Sequence, residues 1–110
     1  MHPYLVVFVT APSKEHATQI AETLLDQRLA ACVNVVDGVH SHYVWQGKIA
    51  HDHEVLLIIK TRGDVFAQLT AAIKAQHPYQ VPEIIGLPIV MGDEDYLAWL
   101  DESLTQAHSK

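Results

Sequence analysis

Cysteine is nearly absent from this 110-residue sequence, because Cys32 is the single one. One thiol cannot form an internal disulfide, and a chain of this kind suits a reducing compartment such as the cytoplasm. Basic residues are also few: seven lysines and arginines stand against thirteen acidic residues, giving a formal net charge of −6. Since no basic run is present, this charge argues against nucleic acid and anionic membranes as partners.

Long apolar runs are missing as well. Apolar runs such as Leu5–Val9 and Val55–Ile59 have five residues each, whereas a transmembrane helix needs about 20. The opening Met1-His2-Pro3 has no basic region and leads directly into a strand-like segment, which predicts no signal peptide. Apolar residues nevertheless make up 49% of the chain and charged residues 18%. This composition predicts one folded domain over residues 1–110, located in the cytoplasm.

Hydrophobic periodicity predicts four strands, in an order that alternates with three helices. The predicted strands are Tyr4–Thr10, Leu29–Val36 with its continuation Val39–Trp45 after a turn or bulge, Lys48–Thr61, and Glu83–Val90. The first predicted helix follows the N-cap residue Ser13, the second ends before Pro78, and the third begins after Gly92. The resulting β-α-β-β-α-β order with an added C-terminal helix predicts an α+β, ferredoxin-like fold with one antiparallel sheet. Its usual strand order, 4-1-3-2, places Pro88 on an edge strand, where a proline is tolerated.

The strand patterns also predict self-association. Helices cover one face of a ferredoxin-like sheet, yet the first and third predicted strands are apolar on both faces. Because exposed apolar patches larger than a few hundred Å² are rare on monomers, we expect a homo-oligomer. The aromatic residues Tyr43 and Trp45, at the tip of the predicted hairpin, are candidates for contact with a neighbouring copy.

The segment His77–Glu83 brings several polar side chains onto stiff backbone. Its two prolines restrict their own φ angles and those of the residues before them. The segment is therefore either a wall of a binding site or simply a tight helix-to-strand connection. Tyr79 and Glu83 are close enough in sequence to form a phenol–carboxylate cluster there. Elsewhere, Lys60 at a strand end and the polar Asn34 are candidates for a cleft that binds anions, although a strand-end lysine commonly just reaches solvent.

Two histidine pairs, His40-x-His42 and His51-x-His53, lie on the two arms of the predicted hairpin. If Gln46-Gly47 forms a two-residue turn, the four imidazoles meet in one patch on a single face. If Gly47 is instead the third residue of a three-residue loop with a bulge, the two pairs point to opposite faces. The three-residue loop gathers Tyr43, Trp45 and Ile49 on one face, and segregation of apolar side chains sets the register. We therefore favour the three-residue loop, which forms no four-histidine site.

Six segments resemble the CutA divalent-cation-tolerance family, and they occur in the family's order over nearly the whole chain. They are Val9–Pro12, Arg28–Asn34, Trp45–Lys48, Glu54–Thr61, His77–Glu83 and Asp95–Leu100. The resemblance implies a ferredoxin-like protomer and an interlocked homotrimer similar in architecture to PII signalling trimers. It also implies a cytoplasmic role in tolerance to copper and other divalent metal ions.

The resemblance further implies a metal ligand. The family pattern has a cysteine just before Thr-Ala-Pro and a His-His pair just before Pro-Tyr; this sequence has Val9 and Gln76-His77 there. His77 is thus the implied ligand for copper or another divalent cation, although one imidazole is too few donors for a copper site. The alternative is a PII-like signalling module that binds a small ligand between subunits, with incidental metal binding. No Ser-His-Asp set, phosphate-binding glycine loop or HExxH spacing is recognised, so we expect no enzyme.

Overall fold

The computed structural model describes residues 3–104, and its four strands form one antiparallel sheet in the order β2-β3-β1-β4. The elements are β1 Tyr4–Ala11, α1 Lys14–Asp26, β2 Cys32–Trp45, β3 Lys48–Arg62, α2 Phe66–Gln76, β4 Ile84–Pro88 and α3 Glu94–Ser103, with a 3₁₀ turn at Gly63–Val65. The predicted ferredoxin-like order with its C-terminal helix is confirmed. Pro88 lies on an edge strand as expected, and β4 is shorter than the predicted Glu83–Val90.

The core lies between one sheet face and the helices α1 and α2. Alternate residues of β1 and β3 point into it, and Val7, Val9, Leu57 and Ile59 are completely buried. They pack against apolar helix residues, which are Ala17, Ile20, Leu24, Leu69 and Ile73. Burial of each large apolar side chain contributes about 1.5–3 kcal/mol. This packing holds the two central strands and both helices as one unit.

The strands β2 and β3 form a long hairpin that is closed by Gln46 and Gly47 alone. Both residues have positive φ, +50° and +77°, as a type I′ turn requires. Trp45 therefore pairs with Lys48, and the pairing continues in this register along both arms. The three-residue loop that we favoured from the sequence is wrong.

The physical reason lies in the exposure of the hairpin tip. Val44, Trp45 and Ile49 are 73%, 61% and 79% exposed in the protomer. Segregation of apolar side chains fixes a register where one face is buried, and here neither face of the tip is covered within the protomer. The geometry of the turn decides the register instead.

A bulge interrupts the hairpin where it leaves the core. Val36 pairs with Leu56, whereas Val39 pairs with Glu54, so that Asp37 and Gly38 lie opposite the single residue Val55 and β2 carries one extra residue. Gly38 has a φ of +81°, which glycine adopts without strain. The predicted interruption at Asp37-Gly38 is therefore a β-bulge, and most residues of the hairpin beyond it are exposed.

The sheet face opposite the core is only partly covered. Tyr4 and Arg62, which pair across β1 and β3, both bind Asp101 of α3, at 2.7 Å and 2.9 Å. The C-terminal helix therefore covers one end of this open face, a contribution that our reading of the sequence omitted. The rest of the face leaves apolar side chains in contact with solvent, which are Val36, Ile85 and Leu87 at 42%, 51% and 46% exposure. Within residues 3–104, no helix is long and apolar enough to span a bilayer.

Candidate functional site

His77 is positioned by the end of α2 and by the proline that follows it. Its amide donates to the carbonyl of Ile73 at 2.9 Å, which completes the last helical turn. Its backbone is then extended, with φ −79° and ψ 133°, because Pro78 disfavours the helical conformation of the preceding residue. This change of direction turns the imidazole inward against β1, where it is 8% exposed.

Both ring nitrogens of His77 are engaged in hydrogen bonds. The amide of Tyr79 donates to Nδ1 at 3.1 Å, so Nδ1 carries the lone pair. Nε2 therefore carries the proton and donates to the carbonyl of Thr10 at 2.8 Å. The ring joins the loop to β1, and as folded it offers no free lone pair to a metal ion.

Tyr79 makes a different carboxylate contact from the predicted one. Its phenol donates to Oε2 of Glu54 at 2.8 Å, and Glu54 is a buried residue of β3 with 9% exposure. Burial, and then the hydrogen bond to Glu54, raise the pKa of Tyr79 above its ordinary value. Glu83 is exposed and makes no hydrogen bond or ion pair with another residue between positions 3 and 104. The predicted Tyr79–Glu83 cluster is therefore not formed.

The other two candidate residues, Lys60 and Asn34, are in contact. Lys60 Nζ donates to Oδ1 of Asn34, and Cys32 Sγ is 4.0 Å from the same oxygen. Cys32 pairs with Lys60, and Asn34 pairs with Ile58, which lies two positions before Lys60 on β3. The three polar groups thus form a small patch on the open face of the sheet, between apolar neighbours.

The surroundings of His77 do not fit a copper ion as the protomer is folded. At the other positions where the resemblance implied ligands, Val9 is fully buried and has no donor atom. The amide of Gln76 is hydrogen-bonded, at 3.4 Å in each case, to Thr23 and to the carbonyl of Ala72. Across the described range 3–104, no three side chains of His, Cys, Asp or Glu lie close enough together to hold a metal ion. The ligand role of His77 stays a prediction.

The register of the hairpin brings the four histidines together in pairs. His40 lies directly opposite His53, with ring centroids 4.4 Å apart, and His42 lies opposite His51, with centroids 5.5 Å apart. All four side chains are exposed in the protomer. The register that we favoured from the sequence placed the two pairs on opposite faces, and the two-residue turn that we considered as its alternative is the one that brings them together.

The match to known proteins extends over almost the entire chain. The family model described as CutA1 divalent ion tolerance protein matches residues 5–103. The chain belongs to the CutA1 divalent ion tolerance family. The resemblance stated from the six sequence segments is confirmed, and with it the assignment to a family associated with divalent ions.

Individual relatives agree with this assignment. The divalent-cation tolerance protein CutA of Thermus thermophilus is 51% identical over 98 residues, which cover 89% of this chain and 95% of the relative. Its solved structure superposes with a TM-score of 0.92 at 49% identity, covering 93% of this chain and 99% of that one. An Arabidopsis thaliana relative named Protein CutA, chloroplastic, is 48% identical over 101 residues, 92% of this chain and 56% of its own length. Because that relative is named as chloroplastic, the cytoplasmic location of this chain stays a prediction.

Proposed function

We propose that this protein is a homotrimeric divalent-cation tolerance protein that binds copper or another divalent metal ion and takes part in the response to such ions. The observation that supports this proposal is the family match over residues 5–103. The proposal describes a cytoplasmic binding protein with no enzymatic turnover and no nucleic-acid or membrane partner. Its binding partners are other copies of this chain and divalent metal ions.

Exposed apolar surface supports the assembly part of the proposal. Val36, Ile85 and Leu87 lie exposed on the open sheet face, and the apolar tip residues project from the hairpin. Association of three copies would remove such surface from water. Homo-oligomers of this kind close by rotational symmetry, so that each copy uses the same surfaces. Light scattering on the purified protein should give about 37 kDa, three times the 12.3 kDa chain. A mass of one chain at micromolar concentration would contradict the trimer.

The metal-binding part is tested by titrating Cu²⁺ into the wild-type protein by calorimetry at neutral pH, beside His77→Ala. Saturable binding by the wild type supports the proposal, and its absence contradicts it. Loss of binding in His77→Ala alone would identify His77 as a ligand, which requires the ring to release Tyr79 or Thr10. Retained binding in that variant would locate the ion elsewhere on the chain.

A PII-like signalling module that binds a small ligand between subunits is the second candidate. The polar patch of Lys60, Asn34 and Cys32 supports it, because a lysine with apolar neighbours on the open sheet face can hold an anion where two copies meet. The test is retention of an anionic metabolite by the assembled wild-type protein, with Lys60→Ala in parallel. Retention that is lost in Lys60→Ala favours this candidate. Equal behaviour of the two proteins counts against it.

A further inference from the structure

We propose that the hairpin face bearing His40, His42, His51 and His53, which is exposed in the protomer, carries a divalent-metal site separate from the His77 loop. In this site each cross-strand histidine pair, His40–His53 and His42–His51, holds one Cu²⁺ ion through two imidazole nitrogens. The inference rests on the proposed divalent-cation binding, but it does not involve His77. It adds to that proposal the location and the ligands of the bound ions.

The separation of the rings agrees with chelation. A metal–nitrogen bond of about 2.0–2.1 Å puts each ring centroid about 3.2 Å from the ion. Two rings at an angle of about 90–109° around the ion then have centroids about 4.5–5.2 Å apart. The observed separations, 4.4 Å for His40–His53 and 5.5 Å for His42–His51, lie just below and just above this range. The rings are tilted by 61° and 70° rather than stacked, so small side-chain rotations can direct one nitrogen of each toward a shared ion.

The fold holds these pairs in place before any metal arrives. The Gln46–Gly47 turn fixes the register, and each pair lies directly opposite on adjacent strands. On the other face of the hairpin, the phenol of Tyr43 donates to Asp52 Oδ2 at 2.5 Å and joins the two arms. Folding has already ordered the backbone, so the entropic cost of metal binding comes only from restricting the imidazole side chains.

The structure also sets the number of ions. Successive same-face positions along a strand are about 6.6–6.8 Å apart, which separates the two pairs from each other. Since no three His, Cys, Asp or Glu side chains between residues 3 and 104 converge on one point, each pair acts alone. Water completes the coordination of each ion, and two ions bind per protomer.

The donor atoms select the class of metal. Neutral imidazole suits copper, nickel and zinc, and Cu²⁺ binds most tightly in the order of divalent first-row metals. Calcium and magnesium require oxygen ligands, which the paired imidazoles do not provide. We therefore expect Cu²⁺ to bind in preference to Ni²⁺ and Zn²⁺, and Mg²⁺ to leave the site vacant.

Two double variants with equal histidine content test the pairing. His40→Gln/His53→Gln removes one complete pair and leaves the other intact, whereas His40→Gln/His51→Gln removes one member of each pair. Calorimetric titration of the full-length assembled protein with Cu²⁺ should give two ions per protomer for the wild type. It should give one ion with unchanged affinity for the first variant. Binding by the second variant should weaken at least about tenfold, because no imidazole keeps its partner at high effective concentration.

The controls separate this site from the rest of the proposal. Far-UV circular dichroism establishes that both variants fold, and His77→Ala should retain both ions. Equal titrations of the two double variants would mean that binding follows histidine number rather than pairing, and would overturn the inference. Loss of both ions in His77→Ala would overturn it as well. Absence of any Cu²⁺ binding by the wild type would contradict both this inference and the metal part of the proposed function, while the trimer mass is measured independently.

Discussion

The partly buried hydrogen bond between Tyr79 and Glu54 is the contact whose removal should affect stability most clearly. The change Tyr79→Phe deletes one oxygen atom and leaves the ring in place. It also leaves the carboxylate of Glu54, 9% exposed, without the phenol that donates to it at 2.8 Å. The same atom can be deleted in Tyr43→Phe, where the phenol is on the 41% exposed Tyr43 and donates to Asp52 at 2.5 Å. The two variants differ in burial rather than in chemistry.

The expected magnitudes follow from that difference. A hydrogen bond to a charged group contributes about 1.5–3 kcal/mol, and a buried acceptor left unpaired costs a similar amount. We expect Tyr79→Phe to lower the free energy of unfolding by about 2 kcal/mol per protomer. At Tyr43 water replaces the phenol, so we expect little change in the free energy of unfolding.

Urea unfolding at a fixed protein concentration measures both effects, since association of the subunits makes the transition depend on concentration. With a slope of about 1–3 kcal/mol per molar urea, Tyr79→Phe should lower the midpoint by about 1 M. In a Glu54→Gln background the same change should cost less, because the acceptor is then neutral. Equal losses for Tyr79→Phe and Tyr43→Phe would refute the reasoning that burial controls the value of this bond.

Two further predictions concern ionisation and the turn. A folded-state pKa of Tyr79 above the ordinary value near 10 means that the unfolded chain loses this proton first. Stability is therefore complete below about pH 10 and falls as pH rises further; the alkaline decline in melting temperature should be shallower in Tyr79→Phe, and an unchanged decline would contradict this. Gln46→Asn should raise the free energy of unfolding by about 0.5 kcal/mol, because asparagine tolerates the positive φ of +50° better. Thermal unfolding measures it, and a lower melting temperature would argue against a type I′ turn.

The fold could be predicted because its signals are local and agree with one another. Apolar runs identified the central strands, Ser13 marked a helix start, and Pro88 pointed to an edge strand. The hairpin register could not be predicted from apolar segregation, since the tip has no covered face within the protomer. The turn residues held only part of the signal: Gly47 adopts positive φ freely, whereas glutamine is not a residue type that favours the positive φ that Gln46 has in the structure.

The candidate site was predicted in its segment but not in its contacts. The stiff loop from His77 does bring an imidazole and a phenol together, with ring centroids 4.7 Å apart. The partner of Tyr79 is Glu54, 25 residues earlier in the chain, and only the packing of the loop against β3 reveals it. A carboxylate immediately before the buried run Val55–Ile59 was the available signal, because a charged residue at such a position needs a partner.

Copper titration of the wild-type protein by calorimetry, beside His77→Ala, tests the central claim most directly. The account predicts saturable binding of Cu²⁺ by the wild type, with two ions per protomer that both remain in His77→Ala. A wild-type protein that shows no saturable binding at neutral pH would contradict the claim that this chain binds divalent cations.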